Sequence, residues 1–221
     1  MKTNKLFSTR NMVLMGMLSA LATVLMFISI PVWFAPPFYK LDVSDLPIMI
    51  GAFAISPIAG IIMEFLKNLL HIIVSGSDTA GIGELANFIS GSIFVFTAAI
   101  IYKQKKTRKT AIISLVVATI LMSIASCFVN AYLTLPAYIG TSGGHLTMEG
   151  IVAAGTEKNT AINNLYTFLV LAVLPFNLLK CTITSTLTAV LYKFVSPLLK
   201  GSASVRCDKK ATPNMNKKQT Y

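Results

Sequence analysis

The sequence predicts an all-α integral membrane protein, a compact bundle of six transmembrane helices whose first outer loop dips inward. Three observations predict it. Of the 221 residues, 54% are hydrophobic and only 12% are charged, which is too apolar for a water-soluble domain. The lysines and arginines stand at the edges of apolar runs: Lys2, Lys5 and Arg10 before the first, a basic loop at 103–109 between two others, and residues 193–218 after the last. A proline at Ser56-Pro57 interrupts what would otherwise be one long apolar run. A net charge of +11 distributed in this way flanks a bilayer and does not form a stripe for nucleic acid.

A helix needs about 20 apolar residues to cross a hydrocarbon core of ~30 Å. Residues 12–32, 85–102, 110–135 and 164–195 meet that requirement, and the stretch between Leu46 and Val74 decides the topology. Read as one helix it gives an odd number of spans and leaves the basic 103–109 loop outside, against the excess of Lys and Arg on cytoplasmic loops. Proline disfavours a helical conformation in the residue before it and cannot donate to a continuing helix, so the run divides at Ser56-Pro57 into spans 45–56 and 58–74. Both termini and the 103–109 loop then lie on the cytoplasmic side, and every acidic residue except Asp208 lies outside or within the bundle.

The second span is the short one. Residues 45–56 rise only ~18 Å at 1.5 Å per residue, so other chain must fill that depth. Irregular backbone is tolerated there only where it is buried in protein or lines a cavity. The segment 31–44 is therefore expected to fold inward and to cover a pocket open to the outside. Residues 1–200 form the membrane domain, and the Lys-rich stretch 201–221 is expected to be a disordered cytoplasmic tail. The small-residue cluster at 19–22 sits in the middle of the first apolar run, so the N-terminus is read as a first helix and not as a cleaved signal. Cys127, Cys181 and Cys207 have no metal-site or CxxC spacing.

Polar side chains inside lipid are costly, so each is a candidate functional group. Glu64 and Lys67 are three apart on one helix face, with Asn68 and His71 a turn on, and they suit either a satisfied inter-helix network or ligand contact. Glu84 falls in the first turn of the fourth helix, where the macrodipole favours an anion, and Asn87 lies a turn deeper than capping explains. Asn130 stands near the outer end of the fifth helix beside Tyr132 and Tyr138, where an interfacial position explains it equally well. Asn177, Lys180, Cys181 and Thr184 complete one face of the sixth helix. Lys180 has no carboxylate near it in its own helix and must face a cavity, a partner helix or a ligand. Amides supply both donors and acceptors, which suits a neutral heterocycle with an imide-like edge better than an inorganic ion.

Three segments carry a resemblance: KLDVSDLPIMIGAF at 40–53, GELANFISG at 83–91 and NLLK at 177–180. With them the chain, to about Lys200, resembles the substrate-binding S components of energy-coupling-factor (ECF) vitamin transporters, most closely the riboflavin-specific members. The resemblance implies a compact six-helix subunit with a loop dipping over an outward pocket. It implies flavin contacts at Asn130, Asn177 and Lys180, and further contacts at Leu41 and over the stretch 80–87, which includes Ala80, Gly83, Glu84 and Asn87. Thr184 joins this set as the next turn of the Asn177–Lys180 face.

The family's Ala-x-x-x-Ala motif on the first helix, which packs against a membrane coupling subunit (the T component), is replaced here by Gly16 and Ala20. Small residues four apart still allow close approach of helices, to that partner or within the subunit itself. The implied partners are riboflavin, the T component and two cytoplasmic ATPases, with no cofactor. The chain itself lacks a phosphate-cradling loop ending in Gly-Lys-Ser/Thr; Gly140, Thr141, Ser142, Gly143 and Gly144 lead into His145 instead. The rival readings are an S component for thiamine or a pterin, and an intramembrane enzyme using Glu64, His71 and Glu84. The enzyme reading lacks a zinc-binding histidine pair and a recognisable catalytic triad.

Overall fold

The computed structural model describes residues 5–36, 38–77, 79–142 and 146–204, with side chains described as far as Leu191. Five of its helices are long and apolar enough to cross a membrane: Thr9–Phe27, Pro57–Ser75, Ile82–Gln104, Arg108–Thr141 and Leu165–Leu191. Among the described residues the one extended pairing is a two-residue antiparallel ladder, β1 (Ile30–Pro31) against β2 (Lys40–Leu41), with Ile30 opposite Leu41.

The helix α1 (Thr9–Phe27) starts where the Ser8 hydroxyl accepts from the Asn11 amide. The shorter α2 (Asp45–Ala54) has ten residues, about 15 Å of rise. It is surrounded by α1, α3, α4 and α9 and buries Pro47, Ile48, Met49 and Phe53. Chain separation at its end follows from Pro57: Ser56 is extended, at φ −173° and ψ 161°, and its hydroxyl caps α3 (Pro57–Ser75) by accepting from Ala59 N. The expected break is therefore present. Close approach around α2 depends on small residues: a Cβ on Gly51 would lie 2.6 Å from Met63 Cε, and one on Gly60 would lie 2.5 Å from Val95 Cγ1.

After α4 (Ile82–Gln104), the basic loop is capped by Thr107, which opens α5 (Arg108–Val129). Helix α5 runs through a π-turn (Asn130–Thr134) into α6 (Leu135–Thr141). A second π-turn (Leu169–Val173) joins α8 (Leu165–Phe168) to α9 (Leu174–Ser204). Each π-turn stops two residues short of a proline, Pro136 or Pro175. A proline inside a helix supplies no N–H and presses on the carbonyl four residues back; those carbonyls belong to Tyr132 and Leu171, both inside the π-turns. The widened turn accommodates the clash.

Two expectations change. The stretch 136–163, read as an outer loop, contains α6 and α7 (Met148–Thr156), which with Ile162 and Phe168 form a small second core. The last helix continues through Ser204, four residues into the stretch expected to be a disordered tail; residues 205–221, and 143–145 of the glycine-rich stretch, lie outside the described residues. The segment between β1 and α2 does fold onto the bundle: Ala35, Pro36, Asp42 and Ser44 are buried, and Tyr39 reaches the end of α5.

Candidate functional site

A cavity of about 550 Å³ opens where this strap, the end of α3 and the ends of α4, α5 and α9 meet, a size suited to a drug-sized ligand. Much of its lining is polar. Helix α9 contributes Asn177 and Lys180, α4 contributes Asn87, Glu84 and Gly83, and Asn130 stands where α5 enters its π-turn. Four aromatic side chains also line it: Phe38 and Tyr39 from the segment between β1 and α2, Tyr138 from α6 and Phe176 from α9. Tyr39 lies 5.0 Å from Phe176, ring centre to ring centre.

The polar groups differ in how much of their bonding capacity is already used. Lys180 Nζ donates to Asp42 Oδ2 at 3.0 Å and to Asn87 Oδ1 at 3.1 Å, leaving one of its three N–H groups. Asn87 is engaged on both sides: its Oδ1 accepts from Lys180 and its Nδ2 donates to Asn68 Oδ1 and, more distantly, to Met26 Sδ at 3.9 Å. The Asn68 amide in turn donates to the Glu64 backbone carbonyl. Asn130 accepts from the Tyr39 hydroxyl at 2.7 Å and donates to Ser126 O at 2.8 Å, which leaves one N–H. Asn177 donates to Val173 O at the end of the second π-turn; among the described residues its Oδ1 accepts nothing and its second N–H is unused.

Glu84 holds the glycine-rich loop closed. Its Oε2 accepts from Ser77 Oγ at 2.8 Å, and the Ser77 oxygen in turn accepts from Gly81 N at 2.7 Å. His71 Nδ1 lies 3.3 Å from Glu84 Oε1 without the geometry of a hydrogen bond. Gly83 fits tightly: a Cβ there would meet Thr79 Oγ1 at 2.9 Å and the Tyr138 hydroxyl at 3.1 Å.

Three residues expected at the site are not among its lining residues. Leu41 is held in the β1–β2 ladder between Lys40 and Asp42, which do line the cavity. Ala80 is exposed in a left-handed conformation (φ 52°) just before Gly81 (φ 85°), a turn and not a wall. Thr184 is buried a turn beyond Lys180, where it donates to the Lys180 carbonyl. Gly16 and Ala20 lie on an exposed face of α1, and among the described residues a Cβ on Gly16 would meet nothing within 4 Å.

Beneath the cavity lies a second polar cluster. Lys67 is paired with Asp45 at 2.6 Å and with Glu64 Oε2 at 2.7 Å, and all three are essentially inaccessible. The carbonyl of Lys67 also accepts from Thr23 of α1. Of the two readings of Glu64 and Lys67, the inter-helix network is the one present. Asp45 Oδ2 lies 4.0 Å from Lys180, so the two clusters touch.

Asp42, Asp45, Tyr39 and Phe176 were not singled out from sequence. The first two stand three apart in the KLDVSD stretch, directly before a helix too short to span. Two carboxylates at that depth need cations, and the two lysines inside apolar runs were the only ones on offer; that signal was there to be used.

Known proteins fit this arrangement. The family model for the ECF transporter substrate-specific component matches residues 10–192. The riboflavin transporter RibU of Staphylococcus aureus is 36% identical over 86% of this chain and 93% of its own length. The riboflavin transporter FmnP of Bacillus subtilis is 30% identical over 88% and 96%. A solved structure of the S component of a bacterial ECF transporter superposes with a TM-score of 0.67 at 33% identity, covering 86% of this chain and 98% of that one. The chain is thus a multi-pass membrane protein and belongs to the substrate-specific components of ECF transporters.

Proposed function

We propose that this subunit captures riboflavin in the cavity and delivers it to an ATP-driven uptake machine. The observation that carries the reading is the pattern of unused hydrogen-bonding capacity. Lys180 keeps one donor, Asn177 keeps an acceptor and a donor, and Asn130 keeps a donor. An imide edge presents acceptor, donor, acceptor, and these groups complement it. The aromatic side chains Phe38, Tyr39, Tyr138 and Phe176 suit a flat ring system. The relatives named as riboflavin transporters support the same ligand.

In this reading α2 is the short second span that brings the count to six, the segment 31–44 closes the outer side as a strap, and both termini are cytoplasmic, with residues 1–200 as the membrane domain and 201–221 as the tail. A membrane T component docks on the exposed Gly16–Ala20 face of α1, and two cytoplasmic ATPases supply the energy. The subunit is not an enzyme and carries no cofactor. Glu64, which an intramembrane enzyme would need, is sealed away from the cavity and pinned to Lys67. Glu84 and His71 are the polar groups of a loop closure. The relatives named as riboflavin transporters favour riboflavin over thiamine or a pterin.

The test is direct. Protein purified in detergent from riboflavin-containing medium should be yellow, and the stripped protein should bind riboflavin below micromolar concentration. Asn177→Ala should weaken binding about tenfold, since one hydrogen bond to a buried group is worth about 1–1.5 kcal/mol. A colourless protein that ignores riboflavin would overturn the ligand assignment and leave family and fold intact.

A further inference from the structure

Lys180 is held by a residue from the other end of the chain. Its ammonium reaches Asp42 across a sequence separation of 138 residues, at 3.0 Å. Both side chains are 7% exposed. Asp42 is itself fixed: its Oδ1 accepts from the Ser44 amide at 2.9 Å and from the Ser44 hydroxyl, a local turn at the entrance to α2. Its Oδ2 is thereby aimed at Lys180. The other carboxylate within reach, Asp45, is committed to Lys67 at 2.6 Å and stands 4.0 Å from Lys180.

We propose that Asp42 is the positioning residue for ligand binding: through its ion pair it neutralises Lys180 and directs the remaining N–H of that ammonium into the cavity. The proposal rests on the reading of the cavity as the riboflavin site. The need for it is electrostatic. Riboflavin is neutral and brings no counter-charge, and an ammonium as buried as that of Lys180 is costly unless it is paired nearby. Asn87 supplies one acceptor but no charge. Without Asp42, Lys180 has only the shared Asp45 to turn to, below the cavity, and turning there withdraws its donor from the ligand. Asp42 is also part of the strap, so the ion pair that aims Lys180 ties the strap to α9 as well.

A double-mutant cycle tests this in the detergent-purified full-length protein, titrated with riboflavin. Asp42→Asn should weaken binding by about tenfold to a hundredfold, the range of a close charge pair, and Asp42→Glu should recover most of the loss. In a Lys180→Met background, Asp42→Asn should change affinity less than about threefold, because its effect passes through the lysine. If Asp42→Asn alone folds poorly, the Asp42→Asn, Lys180→Met double variant still decides. It leaves no unpaired charge, so it should fold and bind as Lys180→Met does. Wild-type affinity in Asp42→Asn, or the same loss with and without Lys180, overturns the inference while wild-type protein still binds riboflavin. Absence of binding by the wild type overturns the ligand reading itself, and this inference with it.

Discussion

Two polar clusters meet in the middle of this bundle, and they are spent differently. In the lower one, Lys67, Asp45 and Glu64 are 0–1% exposed; in the upper one, Asn130, Asn177 and Lys180 are 6–7% exposed. Burial hardly separates them. What separates them is where the capacity faces. Lys67 is ion-paired with two carboxylates away from the cavity and its carbonyl is tied to α1, even though both Glu64 carboxylate oxygens lack a hydrogen bond among the described residues. Each of the upper three, at the cavity, keeps a donor, an acceptor or both. A buried polar group whose partners are all protein holds helices together, and one with capacity left over facing a cavity is waiting for something else. The same residue types in the same apolar helices thus serve adhesion in one place and recognition in the other.

Breaking the lower cluster should have the largest effect. Lys67→Met leaves Asp45 and Glu64 buried without their cation, and losing one partner of a buried pair costs about 3–5 kcal/mol. The expected result is a severe loss of folded protein in detergent, read by gel filtration and thermal melting. A variant as stable as wild type would show that the lower cluster does not hold the bundle.

Next in size is Gly91→Ala. A Cβ there would stand 2.8 Å from the Glu64 carboxyl carbon, and forcing atoms into a packed interior costs about 1–3 kcal/mol. The melting temperature should fall, with riboflavin affinity close to wild type once the protein is folded. A fall in affinity without a fall in stability would mean that the clusters are not separable.

The smallest effect is expected at the seam of the upper cluster. Tyr39→Phe removes the hydroxyl that donates to Asn130 Oδ1, a bond worth about 0.5–1.5 kcal/mol. Because it frees an acceptor at the cavity and leaves the ring in place, riboflavin affinity should change less than about tenfold, with dissociation faster than wild type by stopped-flow fluorescence. A larger loss would make the hydroxyl itself a ligand contact.

Much of the architecture is legible along the chain. Apolar run length marks the five long helices, Pro57 marks the break before α3, and the shortness of α2 correctly implies that neighbouring chain must pack beside it. Asn87, Asn130, Asn177 and Lys180 were visible as misfits in lipid, and all four line the cavity, while Asn68 stands behind Asn87. Leu41 and Ala80 do not line it because, in a strand or a tight turn, the residue next to a contact points elsewhere. Thr184 shares the face of Lys180 but lies buried a turn beyond it, its hydroxyl on the Lys180 carbonyl. The helices at 135–156 were not read from sequence: the fifth span was ended at 135, directly before Pro136, whereas that proline sits in the first turn of α6, after the π-turn.

What the chain settles alone is what depends on neighbours in sequence: span length, the proline break and the inventory of polar groups carried into lipid. Which carboxylate neutralises which lysine depends on packing. Asp42 and Lys180 lie 138 residues apart in sequence, and no periodicity links them. The bundle brings them together because two buried charges, once dehydrated, are tolerable only in each other's company. That pairing, and the hydrogen-bonding capacity it leaves over for a ligand, exist only in three dimensions.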